Sequence, residues 1–130
     1  AADQLSLIAG GVEAMRFTEN TGVLQTAQTN AGLTADVGSA QGSGVITSSY
    51  NVYTTVGTAG DCATLPATAP VGTIVVVKND AAANAMDVFP ASGDDLGEGA
   101  DTALSLVAGK GAMFLCVVAD TTWTNILEGI

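Results

Sequence analysis

The chain has 130 residues, of which 13 are acidic, three are basic and none is histidine, and its formal net charge is −10. The lack of histidine in the sequence excludes catalysis by a histidine base and metal sites with histidine ligands. Arg16, Lys78 and Lys110 are too few to form the basic face that nucleic-acid binding requires. The hydrophobic content of 48% is too high for a disordered acidic chain, and the length fits one domain.

The first 60 residues have a clear pattern only at their start and end. Apolar and polar residues alternate over Leu5–Ala9 and Val12–Phe17, and the Gly10-Gly11 pair between them predicts an N-terminal β-hairpin. Residues 18–43 are rich in Thr, Gly, Ala and Gln and are compatible with short strands, loops or an extended arm. The β-branched and aromatic residues of Gly44–Val56 predict a further strand.

The second half of the chain has the spacing of an all-β domain. A proline-bounded loop, Leu65–Pro70, precedes short apolar strands that Gly, Asn, Asp and Pro separate. The predicted strands are Thr73–Lys78, which is expected to be a buried strand, Ala85–Phe89, Thr102–Val107, Ala112–Val118 and Trp123–Leu127. Their spacing predicts an antiparallel β-sandwich or a jelly-roll-like barrel. No segment has the pattern of an amphipathic helix, and no apolar run approaches the length of a membrane span.

Three stretches of the second half form a recognisable pattern. They are Leu65-Pro followed by Val71-Gly-Thr-Ile-Val-Val-Val-Lys-Asn79, then Ala85-Met-Asp-Val-Phe-Pro-Ala-Ser-Gly-Asp94, and finally Ala103–Val118 followed by Thr122-Trp-Thr. Together, over residues 65–125, they resemble a β-rich module of tailed-phage virion proteins, which occurs in fibres, spikes and capsid-attached proteins. Separately, Gly10–Phe17 followed by Asn20–Val23 is similar to segments of phage fibre shafts.

The resemblance implies a non-enzymatic structural protein without a cofactor, placed at the virion surface after assembly in the host cytoplasm. We expect a capsid decoration (cement) protein that stabilises the head shell through subunit contacts. Its expected partners are other copies of itself in a homotrimer and phage capsid or other virion proteins. The alternatives are a tail-fibre or spike component that binds a host receptor, such as a glycan, and a carbohydrate-binding module. Neither nucleic acid nor a membrane is an expected partner.

The predicted organisation divides the chain at residue 60. Residues 1–60 are expected to form an N-terminal β arm for attachment and oligomerisation, and residues 61–130 a compact β-sandwich domain. Strands with open backbone edges can complete a neighbour's sheet. The residues expected at oligomer or capsid contacts are Leu5, Leu7, Val12, Met15, Arg16 and Phe17. Arg16 is either a surface residue paired with Glu13 or Glu19, or an anchor at an interface.

The densest group of polar side chains is acidic. Asp94, Asp95, Glu98 and Asp101 lie among three glycines, and oxygen ligands on a flexible loop suit Ca²⁺. The spacing does not match the EF-hand pattern. We therefore expect a solvated acidic loop, with a calcium site as the weaker alternative. An acid–base pair for glycoside hydrolysis needs two opposed carboxyl groups, and closeness in sequence does not indicate that geometry.

Three further side chains each have two interpretations. Cys62 and Cys116 are too far apart for a CxxC motif, so we expect two buried free thiols, with one disulfide as the alternative. Trp123 is expected to anchor the core, and the alternative is a sugar-stacking platform that Tyr50 and Tyr53 would extend.

A serine nucleophile would lack a base, because there is no histidine and neither lysine follows a Ser-x-x-Lys pattern. We therefore expect no enzymatic activity.

Overall fold

A computed structural model of the chain describes the backbone of residues 4–18, 24–25 and 28–128, and the surroundings of the side chains over residues 28–126 and at Ile8. These residues form eleven strands and no helix, so the predicted all-β class is confirmed. The strands are β1 (Gln4–Ala9), β2 (Val12–Thr18), β3 (Leu24–Gln25), β4 (Thr29–Thr34), β5 (Tyr50–Thr55), β6 (Cys62–Thr64), β7 (Ile74–Asn79), β8 (Met86–Phe89), β9 (Leu104–Leu106), β10 (Gly111–Val118) and β11 (Thr122–Glu128).

The strands belong to three sheets. β1, β2 and β3 form an antiparallel sheet, called here the hairpin sheet. Gly10 and Gly11 connect β1 to β2 with φ angles of 60° and 80°, which favour glycine because a side chain would be strained there. Five strands form the large sheet in the order β11-β10-β7-β5-β4, and three form the small sheet in the order β6-β8-β9. Within the described residues, the hairpin sheet pairs with neither of these, and its role as an arm stays a prediction.

The large and small sheets are mixed, so the prediction of purely antiparallel sheets is wrong. The pairs β4–β5, β5–β7 and β6–β8 are parallel, whereas β7–β10, β10–β11 and β8–β9 are antiparallel. The reason is that the chain alternates between the two sheets from β5 to β8. Along the chain, β6 of the small sheet comes between β5 and β7 of the large sheet. A connection that crosses to the other sheet and back lets β7 run in the same direction as β5.

Neither mixed sheet closes on itself through the described strands, so a barrel is not formed. β11 and β4 are the two edges of the large sheet, and β6 and β9 are the edges of the small one. The jelly-roll connection order stays a prediction.

One hydrophobic core joins buried residues of both mixed sheets. Val77 and Phe114 come from the large sheet, and Met86 and Val88 come from the small sheet. Trp123, on β11, is 1% exposed and belongs to the same core, as the sequence predicts. Burying a large side chain of this kind contributes about 1.5–3 kcal/mol, so these residues hold the two sheets together.

Residues on the N-terminal side of position 60 also enter this core. Ala35, Ile46, Tyr53 and Val56 are buried members of it, and β4 and β5 are strands of the large sheet. Part of the predicted attachment region therefore packs with the predicted compact domain. The functional division at residue 60 stays a prediction.

Candidate functional site

The six predicted contact residues lie on β1 and β2. The register pairs Leu5 with Phe17, Leu7 with Met15, Ser6 with Arg16, and Ala9 with Val12. Residues that pair across an antiparallel ribbon share a face, and successive residues alternate between faces. The positions of Leu5, Leu7, Met15 and Phe17 therefore fall on one face, and that of Arg16 falls on the other. The contacts of these side chains lie outside the described residues, as does any pairing of Arg16 with an acidic residue.

The predicted strand Thr73–Lys78 is present as β7, but it is buried on one face only. Val75 and Val77 are buried, whereas Ile74 is 46% exposed and Val76 is partly exposed. The expectation of a fully buried strand is wrong because both alternating sets of residues are apolar in this run. Periodicity cannot then tell which set faces the core.

The exposed side of β7 continues across its neighbours as an apolar surface. Tyr50 on β5 lies beside Val76, and Met113 and Leu115 on β10 lie beside Val76 and Ile74. We call this surface the outer face of the large sheet, and it consists of Tyr50, Ile74, Val76, Met113, Leu115 and Val117. The predictions from the sequence do not include this surface. The signal that could have revealed it is that all residues of Ala112–Val118 are apolar, so that both sides of this strand are apolar. A strand with a core on one side only then exposes its second apolar side.

Charge is distributed unevenly between this surface and the rest of the molecule. Among the side chains described in the five strands of the large sheet, Lys78 is the one that is charged. Its ammonium group donates a hydrogen bond to the carbonyl oxygen of Gly109, near the end of β7. The described acidic side chains lie in loops or, for Asp87, on the small sheet.

The four acidic residues of the candidate calcium site do not converge. Asp95 Oδ1 accepts hydrogen bonds from the backbone N–H groups of Gly97 at 2.6 Å and Gly99 at 3.0 Å. Glu98 is exposed. In the part of the chain that the structure describes, no three acidic or cysteine side chains are arranged to hold a metal ion. The calcium alternative is therefore not supported by these residues. The Asp95 carboxylate instead stabilises the loop by accepting hydrogen bonds from its backbone N–H groups.

Asp101 has a similar structural role at the other end of this loop. Its Oδ1 accepts a hydrogen bond from the N–H of Gly93 at 2.6 Å and another from Gln41 Nε2 at 2.9 Å. These two donors lower the pKa of the Asp101 carboxyl, since they stabilise its charged form. Gln41 also donates to the carbonyl oxygens of Pro90 and Ala91, so its amide ties the acidic loop to an earlier segment of the chain.

Asp94 differs from the other three acidic residues because it is buried. Its side chain is 5% exposed, and its Oδ2 has no hydrogen-bond partner among the described residues. Burial raises the pKa of the Asp94 carboxyl, and the charges of Asp120 and Asp101 raise it further. Asp120 is itself engaged, as its Oδ1 accepts a hydrogen bond from the N–H of Ala69 at 2.8 Å. These surroundings therefore favour the protonated form of Asp94 over the charged form.

Both cysteines are buried free thiols, so the alternative of a disulfide between them is not realised. Cys62 lies on β6 of the small sheet, and its Sγ is 3.4 Å from the carbonyl oxygen of Ala40. Cys116 lies on β10 of the large sheet, with its Sγ 3.3 Å from the carbonyl oxygen of Ala69. Buried thiols in such surroundings pack as small apolar side chains and react slowly.

The aromatic residues do not form a sugar-stacking platform, which was the alternative interpretation of Trp123. Trp123 and Tyr53 are buried, and Tyr50 alone of the three is exposed, at 38%. Burial, together with the nearby Cys62, raises the pKa of Tyr53 to about 12, so this hydroxyl stays protonated at neutral pH. A ring that is enclosed in the core cannot stack on a ligand, and the Trp123 alternative is therefore wrong.

The sequence matches no protein-family model, and a search of curated proteins finds no related sequence. Among the described residues, no helix could cross a membrane. The features that could take part in function are thus the ribbon of β1 and β2, the outer face of the large sheet and the acidic loop.

Proposed function

We propose that the protein is a non-enzymatic structural component of a tailed-phage virion, most specifically a capsid decoration protein. The proposal is supported by the resemblance of residues 65–125 to the β-rich module of such proteins. In this proposal the two mixed sheets are the two layers of a β-sandwich, because one core contains side chains of both sheets. The protein then acts by contact: it binds neighbouring capsid subunits and holds them together without chemistry.

The observation that carries this proposal is the separation of apolar and charged surface. The outer face of the large sheet is apolar, while the described carboxylates lie in loops or on the small sheet. Large exposed apolar surfaces are typical of proteins that bind other proteins. The net charge of −10 makes free copies repel one another through their acidic loops, and this repulsion keeps such a protein soluble before it assembles.

In this proposal the ribbon of β1 and β2 attaches the protein to the particle. Its register places four apolar positions, those of Leu5, Leu7, Met15 and Phe17, on one face. β3 adds only two residues to β1 and β2, and so small a sheet has little stability alone and gains it by packing on another surface. The expected assembly is a homotrimer on the head shell, with capsid subunits as the second partner.

A second candidate function is that of a tail-fibre or spike component with a glycan receptor. The fibre-like segment Gly10–Phe17 favours it, and Tyr50 provides one exposed aromatic ring. The number and position of copies on the particle distinguish the two candidates. Hundreds of copies on the head would support decoration, whereas a few to tens of copies on the tail would support a fibre or spike.

The direct test is electron cryomicroscopy of particles that carry the protein, combined with quantitative mass spectrometry of the same particles. If the protein decorates the head, particles that lack it should lose their DNA at a lower temperature, and adding purified protein should restore their stability. A protein that is strictly monomeric and never associates with particles would overturn both candidates. A glycan array with binding that Tyr50→Ala removes would favour the receptor-binding alternative.

A further inference from the structure

Two buried polar atoms, the carboxyl oxygen Oδ2 of Asp94 and the indole nitrogen Nε1 of Trp123, have no hydrogen-bond partner among the described residues. The side chain of Asp94 is 5% exposed and that of Trp123 is 1% exposed. Buried polar groups in folded proteins are paired as a rule, either with other protein groups or with ordered water. One of these two atoms is an acceptor and the other carries a donor, so a single arrangement can satisfy both.

The backbone brings these two side chains to the same side of the chain. The N–H of Trp123 donates to the carbonyl oxygen of Asp95 at 2.8 Å, and Asp95 forms a parallel bridge with Thr122. Because successive side chains alternate between faces, Asp94 and Trp123 share one face and Asp95 faces the other way. The burial agrees, since Asp94 and Leu96 are buried and Asp95 is partly exposed. Diagonal neighbours across paired strands lie about 7–8 Å apart, which an aromatic side chain can span.

The chemistry of the two atoms selects what can bind between them. The indole N–H of Trp123 only donates, so it opposes a cation. The Asp94 carboxylate opposes an anion, and the charges of Asp120 and Asp101, which are near enough to act on Asp94, oppose it further. A neutral molecule that both donates and accepts is complementary to the pair. Water has this property, and it suits the charged and the protonated form of Asp94 alike, because it can donate to the first and accept from the second.

We propose that one water molecule is bound between Asp94 Oδ2 and Trp123 Nε1 and joins the acidic loop to β11. It accepts a hydrogen bond from the indole and makes a second one with the carboxyl group. Buried waters that bridge otherwise unpaired polar groups are an integral part of folded proteins. This inference goes beyond the proposed function, because the site lies within one chain and requires neither a second copy nor a phage particle.

The test uses the full-length chain in crystals and in solution. A crystal structure that resolves ordered water locates the molecule directly. In solution, Trp123 is the single tryptophan of the sequence, so its indole N–H gives one resonance in the NMR spectrum of an isotope-labelled sample. A water molecule held beside it gives this proton a nuclear Overhauser cross-peak at the water frequency, with the sign of a long-lived contact.

Two substitutions of Asp94 separate a bound water from other sources of that cross-peak. Asp94→Asn keeps two polar atoms at the end of the side chain but has no acidic proton that could exchange with solvent. Asp94→Leu has a similar size and no polar atom, so it removes one of the two partners of the water. Circular dichroism and thermal unfolding check the folding of both variants.

We expect a water oxygen within about 3.2 Å of both atoms in the crystal, and a cross-peak that is present in the wild type and in Asp94→Asn but is lost in Asp94→Leu. A direct hydrogen bond between Asp94 and Trp123, or an ion in place of the water, would overturn the proposal. So would a wild type without the cross-peak, or a cross-peak that persists in Asp94→Leu. Loss of the cross-peak in Asp94→Asn would also overturn it, because the signal would then come from the acidic proton. If Asp94→Leu fails to fold, the crystal structure and the comparison of the wild type with Asp94→Asn still decide.

Discussion

The side-chain amide of Asn79 donates a hydrogen bond of 2.8 Å to the carbonyl oxygen of Leu106, and this bond joins the large sheet to the small sheet inside the core. The same amide nitrogen donates to the carbonyl oxygen of Asn84 at 3.1 Å, and Asn79 Oδ1 accepts from the N–H of Ala81 at 3.2 Å. Asn79 is fully buried. Its side chain therefore satisfies three backbone groups of the β7–β8 connection and of β9, and its hydrogen bonds with Leu106 and Ala81 are buried.

Replacing Asn79 by alanine should destabilise the protein strongly. Asn79→Ala leaves the Leu106 carbonyl and the Ala81 N–H without their present partner, and we expect the free energy of unfolding to fall by about 2–4 kcal/mol. Chemical denaturation followed by circular dichroism measures this change. Asn30→Ala, at an exposed position of β4, is the matched control and should change it by less than about 0.5 kcal/mol. Equal effects of the two substitutions would contradict the role assigned to Asn79.

The acidic loop should depend on one apolar residue for its place in the fold. Leu96 lies between Asp95 and Glu98, and its side chain is completely buried in the core. Leu96→Ala should lower the free energy of unfolding by about 2–5 kcal/mol, because it leaves a cavity. Val107→Ala, at an exposed position, should have an effect below about 0.5 kcal/mol. Denaturation of both variants checks this, and a loss below about 1 kcal/mol for Leu96→Ala would mean that the loop is a surface appendage.

Local patterns in the sequence were sufficient to predict the strands of the second half. Leu104 and Leu106 are buried and Ser105 is exposed, as their alternation predicts. Asn84, which lies between the predicted strands Thr73–Lys78 and Ala85–Phe89, has a φ of 71°, a left-handed conformation that asparagine tolerates. Asn79, however, ends a strand and holds the core together, which no local pattern distinguishes from a turn asparagine. The direction in which strands pair was equally hidden, because it depends on which sheet each successive strand joins.

The candidate site was less accessible to sequence analysis than the fold. Carboxylates close in sequence suggested a shared ligand, yet Asp95 and Asp101 each bind backbone N–H groups of the loop, and Asp94 turns into the protein. The outer face was missed because a row such as Ile74 and Val76 looks the same in sequence as a buried strand. Which side is covered depends on what packs against the finished sheet, and that is a property of the whole fold.

Asp94 and Asp101 should affect the free energy of unfolding at neutral pH with opposite signs. The folded state raises the pKa of Asp94, so the stabilising effect of its protonated form is complete in acid and is lost as the pH rises through the raised pKa. The folded state lowers the pKa of Asp101, so its contribution is present at neutral pH and is lost as the pH falls through the lowered pKa.

Neutral amides test these two signs. At neutral pH, Asp94→Asn should be more stable than the wild type, because it removes a buried charge near Asp120, and Asp101→Asn should be less stable. Both differences should shrink in acid, where the wild-type carboxyls become protonated. Thermal unfolding of the three proteins over a pH series measures this. A stabilising Asp101→Asn, or an Asp94→Asn whose effect does not vary with pH, would contradict the assignment.

Two truncations should separate the ribbon of β1 and β2 from the body of the protein. In the described residues, neither strand pairs with the large or the small sheet, so deletion of residues 1–18 should change the free energy of unfolding by less than about 1 kcal/mol. The same deletion should abolish binding to phage particles if the ribbon attaches the protein. Deletion of residues 1–60 is the contrasting variant, because it removes β5 from within the large sheet and takes Tyr53 and Val56 out of the core. That chain should show no cooperative unfolding transition. If residues 61–130 instead unfold cooperatively by themselves, the division at residue 60 is a true domain boundary. If the protein without residues 1–18 still binds particles with unchanged affinity, attachment must be assigned to another surface.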